Sequence, residues 1–342
     1  MSIYDSNRSD TAFRRLAQAM CAVVSVVLST GAGADDTAGL SETEPESEST
    51  FVDQAHASIT RRVAETANRL DDFFGDDSVT EEAVDLSSLR ARPTLEWEDG
   101  RAEKVSLPLR IYLSLPQTEA RWQAFFTSDS ERDPDGDSTQ TANPLDAESD
   151  SRSELGISYI DTSEESRDLR YSIGAQFRSF QLDPYVQIRS RNTSELGLWN
   201  SRLISKAYYF LDAGAEVSIR ADLDREIGDG GLFRSSSLIE WYELDTGVRF
   251  NQGFSYRVLL GEKSAAALGY QLNARIEPKF EAETYTVFFE YKKQVWRDWL
   301  FYQISPQIRV REESDYQARA AIVLSLDIYF TEDKISTPST SR

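Results

Sequence analysis

The chain has almost no side chains with thiol or imidazole chemistry, since its 342 residues include one cysteine and one histidine. Cys21 lies in an N-terminal stretch that we predict is cleaved off, so the mature chain would form neither a disulfide nor a thiolate metal site. His56 is predicted to be a solvated residue of a helix. Imidazole is the usual group that activates a serine or a water near neutral pH. A histidine-dependent catalytic site in the region that follows His56 is therefore excluded.

Other catalytic chemistry has no residues that single it out. Serine–lysine and paired-carboxylate sites stay open as alternatives, because both residue types recur along the chain. Our prediction is that the protein is not an enzyme and that it binds no cofactor.

Long apolar runs and an excess of positive charge are also missing. No stretch after residue 34 holds the roughly 18 consecutive apolar residues that a membrane-spanning helix requires. The formal net charge is −21, which argues against nucleic acid as a partner. If the protein is in a membrane it must be a β-barrel, because only helices and closed barrels satisfy their backbone groups in lipid.

The N-terminal region divides into three predicted segments. Residues 1–34 have the basic start, short apolar core and small residues at the cleavage point that are typical of a signal peptide. A transmembrane anchor is the alternative, but the apolar core is short for one. Residues 35–50 are acidic and rich in Ser and Thr, so we predict disorder. Residues 51–88 repeat apolar side chains at three- and four-residue steps, which predicts a helical segment in the periplasm.

From Leu89 onward the period of the apolar residues changes to two, which is typical of β-strands. Val248, Phe250 and Phe254, for example, alternate with Arg249 and Asn251. We predict an all-β antiparallel transmembrane barrel over residues 89–330, with a polar tail over 331–342. Pro306 predicts a bulge or an early strand end, because proline cannot donate to a ladder. The count is fourteen strands, with twelve as the fallback, over residues 89–98, 104–115, 120–127, 154–161, 168–178, 183–191, 197–210, 214–222, 232–244, 247–260, 264–276, 281–294, 299–311 and 317–330.

The six tryptophans all lie within a few residues of a predicted strand end. Membrane barrels place aromatic girdles at the two lipid–water interfaces, whereas a soluble β-protein more often buries tryptophan in mid-strand. A soluble periplasmic β-protein is the alternative. The predicted girdle consists of Trp97, Trp122, Trp199, Trp241, Trp296 and Trp299.

The last predicted strand alternates apolar and mostly polar residues and ends in Tyr329-Phe330. This pattern resembles the C-terminal assembly signal of Gram-negative outer-membrane β-barrel proteins, although a polar tail follows the aromatic residue here. The resemblance covers about residues 89–330 and implies a location in the outer membrane after signal-peptide cleavage. It also implies contact with outer-membrane lipid and lipopolysaccharide, and recognition of the strand by the barrel-insertion machinery. It identifies no subfamily and no substrate.

If the apolar members of each strand face lipid, most arginines of the strands face the lumen. Charged side chains are costly on the lipid face but acceptable in a water-filled interior. Glu216, Glu290 and Asp327 are the clearer inward acids, so the interior is predicted to be basic. The predicted lumen-lining residues are Arg170, Arg178, Arg189, Arg202, Arg220, Arg249, Arg257, Arg275, Arg309 and Arg319.

Three interpretations of this interior stay open. The arginines can brace the wall through carboxylate pairs, or they can attract anions into a passive pore for small anionic or zwitterionic solutes. In the third, the acidic N-terminal region, tethered before the first strand, caps the lumen. The alternative to a pore is a non-enzymatic structural or assembly barrel that anchors a periplasmic helix or a surface loop. The helix over residues 51–74 would then bind a periplasmic partner.

The connection between residues 128 and 153 is the longest in the predicted barrel, and we expect it outside the cell. Asp133, Asp135 and Asp137 begin like a calcium-binding loop, but Gly136 is misplaced and the bidentate glutamate is missing. A solvated acidic loop is the simpler interpretation, with weak calcium binding as the alternative.

Overall fold

The structure is a computed structural model that describes residues 87–115, 121–128, 152–164, 167–178, 181–228, 230–244, 247–276, 279–295 and 299–331. The predicted signal peptide, acidic segment, helical segment and polar tail lie outside these residues, apart from the few that adjoin the first and last strands. The described part of the chain contains no helix with the length and apolarity of a membrane span.

The described residues form fourteen β-strands, two of which are each split into two segments. Strand β1 consists of Ser88–Ala91 and Thr94–Glu98, and β2 consists of Lys104–Ser106 and Leu109–Ser114. The others are β3 (Trp122–Ser128), β4 (Arg152–Glu164), β5 (Arg167–Arg178), β6 (Gln181–Leu196), β7 (Trp199–Phe210), β8 (Gly214–Ile227), β9 (Gly231–Tyr242), β10 (Val248–Leu259), β11 (Ser264–Arg275), β12 (Glu281–Gln294), β13 (Leu300–Arg311) and β14 (Ala318–Thr331).

The sheet closes on itself as an antiparallel barrel. Each strand pairs with the next along the chain, and β14 pairs back with both segments of β1. At this closing seam Leu89 lies opposite Phe330, and Leu95 lies opposite Leu324. Closure leaves no unpaired sheet edge, which is the condition for a β-sheet to span lipid. The predicted fold class is confirmed, with fourteen strands rather than twelve.

Prolines interrupt the ladder at β1 and β2, and on one side of β13. Pro93 and Pro108 separate the two segments of these strands, and Arg92 N still donates to Pro108 O at 2.9 Å. The register is the same on both sides of the interruption. The break predicted at Pro306 is found on one side of the strand only, because β13 continues through it without a bulge and Pro306 lies opposite Ile322 in β14. Only the ladder to β12 is interrupted there.

Alternate residues of each strand lie on a buried face and on an exposed face. In β14, Val323, Ser325 and Asp327 are buried, whereas Leu324 and Leu326 are exposed. In a closed barrel the buried face is the interior. The exposed face carries the large aliphatic and aromatic side chains that are typical of a lipid-facing wall.

The connections fall into two sets, one at each end of the barrel. We call the end that carries the connection between β3 and β4 the loop end. The opposite end, where β1 begins and β14 stops, is the terminal end. A short 3-10 turn, Glu312–Ser314, joins β13 to β14 at the loop end.

Candidate functional site in the barrel interior

The structure places most of the predicted lumen-lining arginines on the buried face. Arg178 lies opposite Gln181 at the end of β5, and its side chain lies outside the described residues. Arg249, Arg275 and Arg319 are partly exposed. Buried side chains among the predicted set are Arg170, Arg189, Arg202, Arg220, Arg257 and Arg309.

Three buried cations form a row across adjacent strands, which we call the cation row. Arg170 of β5 lies directly opposite Arg189 of β6, and Arg189 lies opposite Lys206 of β7. Their exposed fractions are 2 %, 1 % and 6 %. Side chains directly opposite one another have Cβ atoms about 4.5–5.5 Å apart, and like charges at that separation repel. A buried row of this kind therefore favours negative charge beside it.

Beyond the cation row, β8 carries two buried carboxylates, and their arginine partners lie on β7, β8 and β9. Asp222 accepts from Arg220 Nε at 3.0 Å and from Arg202 Nε at 3.3 Å. Asp224 binds Arg234 through two contacts, at 2.6 Å and 2.7 Å. The double contact uses the planar guanidinium in its strongest geometry. Arginine–carboxylate bracing thus exists in this part of the wall.

A second charged cluster lies at the loop end of the closing seam. Arg309 Nη1 and Arg311 Nη2 of β13 each donate to Glu98 of β1 at 2.8 Å. Glu96 also accepts from Arg309. Glu98, Arg309 and Arg311 are all buried, so these contacts hold β1 against β13 across the interior.

A third cluster lies at the terminal end of the same seam. Asp327 of β14 contacts Arg90 Nη2 at 2.9 Å and Lys292 Nζ at 2.7 Å. Neither Asp327 nor Lys292 has any exposed surface. The Lys292 ammonium also lies 5.1 Å from the Phe301 ring centroid, within range of a cation–π interaction. Strands β1, β12 and β14 are therefore joined through one buried carboxylate.

Aromatic rings fill part of the interior near the loop end. Tyr185, Tyr208 and Phe210 form a buried cluster, with Phe125 packed against it. The Tyr208 and Phe210 rings are stacked with centroids 5.5 Å apart. Beneath the cluster Gly174 allows the Tyr185 ring to lie against the wall, because a Cβ there would be 2.9 Å from Tyr185 Cζ. The barrel is narrowed at this height by packed rings.

A small cavity of about 30 Å³ indents the wall at β8–β12. Its lining includes Gly253 and polar and aromatic side chains, among them Arg220, Asn251, Gln271 and Phe288. No atom comes closer than 3.9 Å to the position of a Cβ on Gly253. The volume and the polar lining suit a small polar group such as one or two water molecules.

The carboxylates of these clusters are more numerous than the sequence pattern predicted. Glu98, Asp222 and Asp224 were missed, along with their partners Arg234 and Arg311. Glu98 directly follows Trp97, which lies on the exposed face. The alternation of the strand therefore could have predicted that Glu98 faces inward. Asp224 lay beyond the predicted end of its strand at residue 222. Buried lysines and arginines still outnumber buried carboxylates among the described residues, as the sequence pattern predicted.

Five of the six predicted girdle tryptophans lie in the described residues, all on the exposed face at strand ends. Trp97 and Trp241 lie near the loop end, and Trp122, Trp199 and Trp299 lie near the terminal end. Trp299 stacks on Phe330 with ring centroids 6.2 Å apart. Trp296 lies outside the described residues.

The predicted calcium residues Asp133, Asp135 and Asp137 also lie outside the described residues. Within the described ranges, no group of three or more His, Cys, Asp and Glu side chains is arranged to hold a metal ion.

The chain is similar in fold to outer-membrane β-barrel proteins. OmpT, an outer membrane protein of Vibrio cholerae, aligns with 8 % identity over 71 % of this chain and 96 % of that chain, at a TM-score of 0.38. The outer membrane protein opdK from Pseudomonas aeruginosa aligns with 9 % identity over 72 % and 99 %, at 0.40. A bacterial polysaccharide outer membrane secretin aligns with 11 % identity over 72 % and 98 %, at 0.42. The barrel fold itself rests on the strand pairing described above. No family model and no curated protein matches the sequence.

Proposed function

We propose that the protein is a passive outer-membrane channel whose basic interior admits small anionic or zwitterionic solutes. The cation row carries this proposal. Basic side chains that line a pore favour anions, and their effect is strong where the wall excludes water. The proposed anion attraction centres on Arg170, Arg189 and Lys206, because these three cations follow one another across β5, β6 and β7.

The acidic N-terminal region is the proposed internal counter-charge. Covalent attachment just before β1 gives it an effective concentration of about millimolar near the barrel mouth. Its carboxylates would compete with solute anions for the cation row and so cap the pore. The acidic residues concerned are Glu42, Glu44, Glu46, Glu48, Asp71, Asp72, Asp76, Asp77, Glu81, Glu82 and Asp85.

The burial of the interior favours a second candidate, a structural barrel that conducts nothing. Arg170 and Arg189 retain only 2 % and 1 % exposure, which is low for side chains that line an open aqueous pore. In this alternative the barrel anchors the 51–74 segment for a periplasmic partner or displays a surface loop.

Planar-bilayer recording separates the two candidates. The full-length protein and a variant without residues 35–86 are reconstituted, and single-channel conductance is measured. A channel capped by its own N-terminal region shows larger conductance after the deletion. Unchanged conductance would contradict the cap. If the shortened barrel is inserted and passes no current, the structural candidate stands.

Selectivity then tests the cation row. Reversal potentials in a salt gradient should show anion preference, and Arg189→Gln combined with Arg170→Gln should reduce it. Lys263→Gln combined with Lys293→Gln is the matched control, because it also removes two positive charges but from exposed positions. Equal effects of the two changes would show that the row does not set selectivity.

A further inference from the structure

The lipid-facing wall carries polar side chains on β9 and β10, besides Ser190 and Ser205, which lie opposite each other on β6 and β7. Ser235, Ser237 and Gln252 all lie on the exposed face, and we call them the polar patch. Ser237 lies directly opposite Gln252, and its hydroxyl donates to Gln252 Oε1 at 2.5 Å. Gln252 Nε2 donates to Ser235 Oγ at 3.2 Å. On β14 the same face presents Ile322, Leu324 and Leu326 instead.

The polar patch lies at mid-height of the wall. Ser237 is level with Ala221 of β8 and Leu203 of β7 through the strand register. Leu203 is four residues from Trp199 at the terminal end, and Ser237 is four residues from Trp241 at the loop end. Tryptophans on this face are typical of the two lipid–water interfaces. The patch therefore faces the hydrocarbon centre, where lipid provides no hydrogen-bond partner.

The hydrogen-bonding groups of the patch are complementary to themselves. Within the described residues, the Ser235 hydroxyl accepts from Gln252 and keeps its own hydrogen to donate. The Ser237 hydroxyl donates to Gln252 and keeps lone pairs to accept. A donor and an acceptor thus lie two residues apart on the outward face of β9. Small Ala221 beside Ser237 leaves room for a close approach.

We propose that the polar patch is the centre of a dimer interface with a second copy of this chain. A two-fold axis normal to the membrane puts the same residues of both copies at the same depth, as closed dimers require. Ser235 of one copy can then donate to the Ser235 hydroxyl of the other, which has a lone pair besides the one that binds Gln252. Small and polar side chains are the groups that bring membrane segments together in lipid. The proposal requires membrane insertion but no particular solute.

Cysteine cross-linking of the full-length protein in lipid vesicles tests the interface. Ser237→Cys, in a Cys21→Ser background, should give a covalent dimer as the main product with a short bismaleimide. Leu324→Cys on β14 is the matched control and should remain monomeric. A monomeric Ser237→Cys protein, or equal cross-linking of both variants, would overturn the proposal.

Removal of the polar groups provides the second test. The combined variant Ser235→Ala, Ser237→Ala and Gln252→Leu makes the patch apolar, so it should insert as well as the parent barrel but lose the dimer. Native mass spectrometry in mild detergent reads the mass, and conductance per barrel shows that the fold and any channel persist. A variant that inserts and remains dimeric would contradict the proposal, as would a parent protein that is monomeric.

Discussion

At the scale of single residues, the glycine beneath the aromatic cluster is the described glycine at which an added Cβ would lie closest to a backbone atom. A Cβ on Gly174 would lie 2.5 Å from the Leu155 carbonyl oxygen, a backbone atom that cannot move aside alone. We therefore expect Gly174→Ala to lower the free energy of unfolding by about 1–3 kcal/mol. Gly253→Ala is the control, and it should be neutral or stabilising by about 0.4–1 kcal/mol because its site is open. Urea unfolding of the refolded barrel measures both, and similar losses would contradict the packing described here.

Buried charge at Asp327 gives the second prediction at this scale. Asp327→Asn leaves the fully buried Lys292 without its carboxylate, which should cost about 3–5 kcal/mol of unfolding free energy. Glu313→Gln breaks the exposed contact with Arg101 and should cost at most about 1 kcal/mol. The same unfolding assay compares them. If Asp327→Asn costs no more than Glu313→Gln, the terminal-end cluster does not hold the seam.

At the scale of elements, the turn between β13 and β14 should respond to pH. Desolvation in the turn, together with the neighbouring Glu281 carboxylate, raises the pKa of Glu312 above its ordinary value of 4.5. The folded turn thus holds a proton that the unfolded chain releases, so its stability is full below pH 4.5 and falls as pH rises through the raised pKa.

Glu312→Gln reproduces the protonated group at every pH. The variant should unfold at the same temperature as the parent in acid and at a higher temperature at neutral pH. Thermal scans of the two proteins across this range measure the difference, and a gap that does not change with pH would argue against a titrating Glu312.

Strands were the elements that the sequence predicted well, because lipid on one side and charge on the other enforce a period of two. The end of β8 shows where this fails. Asp224, Arg225 and Glu226 look like a solvated turn by composition, but the interior accepts their charge and the strand continues to Ile227.

The alternation also could not predict which charged residues pair with one another across the strands. Which cation meets Asp327 depends on the stagger of β12 against β14, and alternation within one strand carries no information about stagger.

At the scale of the whole molecule, the proposed anion preference should weaken in salt. The Debye length falls from about 10 Å at 0.1 M to about 3 Å at 1 M. Ions that pass the cation row are then shielded from it for most of their path. Reversal potentials at the same gradient ratio but tenfold higher salt should move toward zero. A preference that stays constant would point to direct binding rather than to the field of the arginines.

The closing seam has a consequence for how the barrel assembles. β1 and β14 lie at opposite ends of the barrel sequence. Their contacts therefore have the largest loop-closure entropy cost and are expected to form most slowly. Until they form, Asp327 lacks its contact with Arg90, and Glu98 lacks its contacts with Arg309 and Arg311. Partial closure would strip water from these carboxylates before those arginines are in contact, which is unfavourable. We therefore expect the open sheet to persist until both clusters engage together, so that closure is a single cooperative step late in folding.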